Sequence, residues 1–184
     1  MCALQVDANY RFIAASNELN ARIAQRQQAL SLYITLVLGL LAALVALRPD
    51  SPAQRVPVEW LVLGFPVASL CLVFLNYKIE RALTNLRSFL SVLERLNNAH
   101  AELPSYNTDP SWSEGANRAR RFHDYTAAIL VATSHAVAVG ALWRIYPHQV
   151  QTDAPVVWLV ALIGVGAVVA LLWMPRLSYR PAMA

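Results

Sequence analysis

The sequence is short of charge, of cysteine and of catalytic signatures, and each shortage excludes something. Only 14% of its 184 residues are Asp, Glu, Lys or Arg while 57% are hydrophobic, against about 25% charged in ordinary soluble domains, so a soluble-domain composition is excluded. Two cysteines, Cys2 and Cys71, are too few for a disulfide scaffold, and without Cys-x-x-Cys or His-x-x-x-His companions they do not make a zinc site. Six glycines and ten prolines exclude a collagen-like chain. There is no Gly-rich phosphate loop, no Gly-x-Ser-x-Gly elbow and no His-Glu-x-x-His pair, so no enzyme is expected.

What is present is apolar sequence in long runs. Stretches free of charge extend over Gln27–Leu47, Trp60–Tyr77, Tyr125–Trp143 and Ala154–Pro175, each near the roughly 20 residues that cross about 30 Å of hydrocarbon at 1.5 Å per residue. The first run begins near Ala29 and no Ala-x-Ala-like site follows Leu47, so a cleaved signal peptide is not expected. Twelve of the 15 basic residues fall in the amino-terminal arm, the long central connection and the carboxy-terminal tail; only Arg48, Arg55 and Arg144 fall in the other two connections. The positive-inside rule then puts both termini and the long loop in the cytoplasm. The net charge of +4 reports that orientation, and no nucleic acid is expected as a partner. Trp60, Trp143, Tyr146 and Trp158 mark the outer interface, and Tyr77, Tyr125, Trp173 and Tyr179 the inner one. The outer connections, Arg48 to Pro57 and Arg144 to Pro155, are too short for an external domain.

Helical periodicity continues beyond the membrane. Phe12, Ala15, Leu19, Ile23 and Leu30 recur at helical spacing, which starts the first helix near Asn9. A second helix runs from about Pro57 to Asn98, with Ile79, Leu83, Leu86, Leu90 and Leu93 on one stripe. Ala-Glu-Leu-Pro-Ser-Tyr-Asn-Thr-Asp-Pro is a linker, and Ser111 with Glu114 has the spacing of a capping box opening the third helix. The expected fold is an all-α integral membrane protein with four transmembrane helices, the long helices 1, 2 and 3 extending into a cytoplasmic helical stalk. Its parts are a cytoplasmic amphipathic helix over 1–28, spans at 29–47 and 57–77, a cytoplasmic helical hairpin over 78–124 with its linker at 101–110, spans at 125–144 and 154–175, and a cytoplasmic tail over 176–184.

The charge-free spans disfavour coupled transport, which places ionisable groups at membrane depth. His135, flanked by Thr133 and Ser134, is the one mid-membrane ionisable side chain. Bis-histidine haem ligation needs a second imidazole at its depth, and His100, His123 and His148 lie elsewhere, so no cofactor and no metal are expected. Two roles remain open for His135: an interhelical hydrogen bond to Ser69, Thr35 or Ser31, or a pore-lining or pH-sensing position. Ala128, Ala132, Ala136 and Gly140 form a small-residue ladder suited to helix packing or an oligomer seam. Gly64 and Pro66 interrupt the second span as a packing kink or a gating hinge. Arg118, Arg120 and Arg121 anchor the inner membrane face or bind an anionic lipid or another anionic ligand. The Ile79 to Leu93 stripe packs within the protomer or docks a partner helix.

An Arg/Gln-rich helix entering the first span (Arg22 to Gln28), a return span, a charged amphipathic helix (Lys78 to Arg95), then Pro-Ser-Trp and a further pair of spans resembles the layout of small bacterial membrane effectors of antiviral and conflict systems, the SLATT-type proteins among them. That resemblance implies a homo-oligomer that breaches or depolarises the inner membrane on a cytoplasmic trigger. The other reading is a non-catalytic anchor or scaffold that recruits a cytoplasmic protein through the stalk.

Overall fold

The computed structural model describes residues 7–48, 58–102, 105–147, 150 and 154–181. Cys2, Arg55, His148, the side chain of His100 and most of both outer connections lie outside the described residues. Every regular element among the described residues is helical.

Helix α1 spans Ala8–Ala46, with no proline and a single glycine to weaken it. Asp7 caps it, its carboxylate accepting from the Asn9 N–H at 3.2 Å. At 39 residues it is about 58 Å long, nearly twice the ~30 Å hydrocarbon thickness. Helix α2 spans Val58–Glu94 and passes through the buried Pro66 without a break. It stops four residues short of the expected Asn98, because Asn97 and Asn98 take left-handed φ values of 55° and 57°, a conformation asparagine tolerates and an α-helix does not. A short helix α3, Ala99–Glu102, then takes the first residues of the expected linker.

Helix α4 spans Pro110–Ile145. The capping box expected at Ser111 is corrected: Asp109 is the cap, accepting from the Ser111 N–H at 2.8 Å, and Pro110 takes the first helical position. An aspartate before a proline is the better start, since the carboxylate satisfies an orphan donor and the ring presets φ. Glu114 instead faces Arg118 at 3.6 Å on the surface. Helix α5 spans Ala154–Trp173, and its 20 residues match one hydrocarbon thickness. Pro175 then turns the chain into a 3-10 turn, Met174–Leu177, with Arg176 stacked 4.2 Å from the Trp173 ring.

The long helices form a four-helix bundle in which α1 packs mainly on α2, α4 mainly on α5, and α2 also reaches α5. Leu44, Phe65, Leu72, Val131, Val160 and Leu171 are at most 2% exposed in its core. Apolar side chains also cover the outside: Leu38, Val67, Phe74, Ile129, Leu162 and Val165 are exposed. In the most apolar windows of α1 and α5 only 22% of residues are buried, so most of their hydrophobic surface points outward. A water-soluble bundle would be polar there. All four long helices are long and apolar enough to cross a membrane, which makes the chain a candidate multi-pass membrane protein.

Candidate functional site

Four charged side chains meet inside the bundle where its apolar half ends. Arg26 of α1, Glu80 of α2 and Asp124 of α4 are 3%, 1% and 2% exposed. The Arg26 guanidinium reaches Glu80 at 3.5 Å and pairs more closely with Asp124, while Arg120 pairs with the other oxygen of Glu80. In sequence, Arg26 and Asp124 each lie one residue from the end of a charge-free stretch and Glu80 lies three from another, so helix pitch brings them to one level. The two cations and two anions balance, which a buried cluster requires: a lone buried charge costs several kcal/mol. The fixed charges bear on each other's protonation. Burial pushes the Asp124 carboxyl up against the pull of Arg26, and burial pulls the Arg120 guanidinium down against Glu80. His123, beside the cluster, is lowered to about 4, first by burial and then by the Arg26 charge. Its Nε2 is buried without a partner among the described residues, as are Arg26 Nε and both amide atoms of Asn76, one helical turn before Glu80.

A second network continues from this cluster towards the charged end. Arg87 donates to Asn117 Oδ1 at 3.0 Å and lies 5.8 Å from the Tyr106 ring centre. Asn117 donates to the Tyr179 carbonyl at 2.7 Å, and the Tyr179 hydroxyl donates to the Asn107 carbonyl at 3.0 Å. Asn107 in turn donates to both oxygens of Glu94, at 2.6 and 3.0 Å. Thr84 donates to the Leu177 carbonyl at 3.1 Å. The carboxy-terminal segment is thereby stitched to α2, to α4 and to the turn before α4.

Within the apolar half, Tyr33 of α1 joins Ser69 of α2 at 3.3 Å and Ser134 of α4 at 2.6 Å through its hydroxyl. His135 makes none of the interhelical bonds expected of it. Its Nδ1 bonds the carbonyl of Val131 one turn earlier at 3.0 Å, and Thr35 back-bonds to Ser31 on the surface. A carbonyl can only accept, so Nδ1 carries the proton and Nε2, buried and without a partner among the described residues, carries the lone pair. The imidazole lies flat on Gly164 of α5, where an added Cβ would come within 2.5 Å of its Cδ2.

The structure separates several groups that share a motif in the sequence. Of the small-residue ladder, Ala128 is buried while Ala132, Ala136 and Gly140 are exposed; the inward face of α4 is Ala127, Val131, Ser134, His135 and Ala138. Thr133 is also exposed. Gly64 allows α1 close, since a Cβ there would meet Leu40 at 2.8 Å, and Pro66 is buried two residues on. The three arginines do not form one patch: Arg118 is exposed beside Glu114, Arg120 turns in to Glu80, and Arg121 is half-buried. Ile79, Leu83 and Leu90 are buried in the chain's own core with Leu86 and Leu93 partly covered, so the stripe is not free to dock a partner. Among the described residues no group of three or more His, Cys, Asp or Glu side chains could hold a metal.

Neither family models, curated proteins nor solved structures match this chain. Its site therefore stands on its own geometry. The Arg26, Glu80 and Asp124 cluster was the part sequence reasoning missed. The signal was present in the two carboxylates, Glu80 and Asp124, set among basic residues at the ends of charge-free stretches: an anion there needs a buried cation.

Proposed function

We propose that the protein is a homo-oligomeric, multi-pass membrane effector of the bacterial inner membrane, with both termini cytoplasmic, which changes membrane permeability or potential on a cytoplasmic trigger, in the manner of the antiviral and conflict effectors its layout resembles. The reading assigns it no catalysis and no cofactor. The observation that carries it is the open small-residue face of α4. Ala132, Ala136 and Gly140 are left on the surface of the protomer, and the first two border an apolar groove of about 410 Å³ with Ala161 and Gly164 of α5, His135 in its wall. Small residues on a lipid-facing surface let a second helix approach closely, which is how membrane helices associate. The buried charge cluster supplies a point of control. It ties α1, α2 and α4 where their apolar segments begin, and Asn76, His123 and Arg26 keep unpartnered polar atoms around it, so a competing arrangement that satisfies them is within reach of a modest trigger.

Cysteine crosslinking tests the seam. With Cys2 and Cys71 replaced by serine, Ala132→Cys and Ala136→Cys are expected to give disulfide-linked dimers in native membranes, and Gly115→Cys, far along α4, is not. Equal crosslinking at all three positions, or none at the ladder, removes the oligomer.

A second reading, a membrane anchor for a cytoplasmic protein, is favoured by a different surface. Phe89, Val92 and Leu96 are exposed on one side of the charged half, with Tyr106 and Trp112 exposed nearby in sequence to its second network. A stoichiometric, unrelated partner in mild-detergent purification supports this reading over the first.

A further inference from the structure

Between α1 and α2, where the charged half of the molecule passes into the apolar half, lies an open groove of about 270 Å³. Leu32, Leu75 and Ile79 line its apolar side, and Arg22, Gln28 and Lys78 its polar side. Arg22 is held by Glu18 one turn before it and donates to Gln25 at 3.1 Å. Lys78 is exposed and has no ion-pair partner among the described residues. Two cations against the one carboxylate of Glu18 leave the polar end positive. The apolar side continues along the same two helices into the half whose outer surface is hydrophobic, through residues such as Leu36 and Phe74.

An occupant that matches both ends has an anionic head and an apolar tail. We propose that this groove binds one anionic phospholipid, its phosphate against Lys78 and Arg22 and the first part of an acyl chain along Leu32 and Leu75. This rests on the membrane reading above. A soluble anion would leave the apolar wall in water, and a zwitterionic lipid would bring its own ammonium towards two cations. The groove is also smaller than the ~300–1,000 Å³ that encloses a drug-sized ligand, which suits a headgroup and the start of a chain held against a bilayer. The basic residues expected from sequence to meet lipid headgroups were Arg118, Arg120 and Arg121; the structure puts the pair that is both cationic and next to an apolar channel on α1 and α2 instead.

Native mass spectrometry of the full chain in detergent, titrated with dioleoyl phosphatidylglycerol or dioleoyl phosphatidylethanolamine, tests the site. One phosphatidylglycerol per chain is expected to bind preferentially, and Arg22→Gln with Lys78→Gln to weaken it about 30-fold, from roughly one favourable basic contact each. Leu75→Trp, which fills the apolar side and leaves the charges, is expected to weaken it as well. Should the double variant lose helicity, Lys78→Glu at the exposed position decides the matter. Equal binding of the two lipids, or unchanged binding by these variants, overturns the proposal; so does displacement of the lipid by millimolar inorganic phosphate, which would make the site one for a free anion. Alkaline carbonate extraction separates the two levels of the account. A chain that stays in the membrane fraction but shows no lipid preference refutes the groove alone, and a chain released by carbonate refutes the membrane reading and the groove with it.

Discussion

Arg26 of α1 and Asp124 of α4, 98 residues apart in the chain, form an ion pair that solvent does not reach. Because Arg26 also faces Glu80 of α2, one guanidinium joins three helices at the level where their apolar segments begin. The value of such a cluster is in its balance: the cost of burying each charge is met only while every partner is present.

Removing two partners together should therefore cost less than the sum of removing each alone. Asp124→Asn leaves Arg26 with the longer Glu80 contact alone and is expected to destabilise the protein by about 3–5 kcal/mol, seen as a melting temperature lowered on the order of ten degrees. Arg26→Met combined with Asp124→Met should cost clearly less than the sum of the two single changes. Thermal unfolding in one detergent, read by intrinsic fluorescence, makes the comparison; strict additivity would show that the pair is not coupled.

His123 gives the cluster a pH dependence of known sign. Its folded value of about 4 lies below the ordinary 6.5, so the unfolded chain binds the extra proton between those values and the contribution of His123 to stability falls as pH drops from about 6.5 to about 4. Above 6.5 the residue is neutral in both states and contributes no slope. His123→Phe should flatten this part of the stability profile while Asp124 and Glu80 remain. A melting temperature in the variant that falls as steeply as in the wild type over this window contradicts the assignment.

Gly164 is required by the ring that lies on it. Gly164→Val places carbon where the His135 imidazole sits and is expected to cost about 1–3 kcal/mol, whereas a Cβ added by Gly166→Ala meets nothing within 4 Å and should be nearly neutral. His135→Ala should recover a large part of the Gly164→Val loss. Absence of rescue in the double variant would mean that the α4–α5 contact is not formed through this ring.

The carboxy-terminal segment is held by few but specific bonds. Tyr179→Phe removes the donor to the Asn107 carbonyl and should cost about 1 kcal/mol. Hydrogen exchange should quicken over residues 105–117, the turn and helix start that the Tyr179 hydroxyl and carbonyl connect to the tail. Unchanged exchange there would show that the tail does not brace this turn.

The helices were legible because membrane spans and helix stripes are one-dimensional patterns. The charge-free runs mark the apolar segments, and the periodic residues from Phe12 to Leu30 locate a first helix that begins at Ala8. Its boundaries were less so where local chemistry competes: Asp109 and Pro110 offered a better start than Ser111, and two asparagines ended α2 early. The interior of the site was not legible, because the sequence gives spacing along one helix and not the rotation of helices about each other. Ala128 and Ala132 are one turn apart, yet the bundle buries one and leaves the other outside. Likewise Ser134 reaches across to Tyr33 while its neighbour His135 turns back to its own helix.

Membrane potential in living cells tests the effector reading most directly. Arg120→Gln weakens the charge cluster at its most accessible member, leaving Arg26, Glu80 and Asp124 in place. Bacteria expressing this variant at the same membrane level as the wild type, and loaded with a potential-sensitive dye, are expected to lose polarisation without any trigger, while wild-type cells hold it. Full polarisation in both, with the two proteins equally abundant in the membrane and equally helical, would contradict a permeability-changing effector controlled through this cluster.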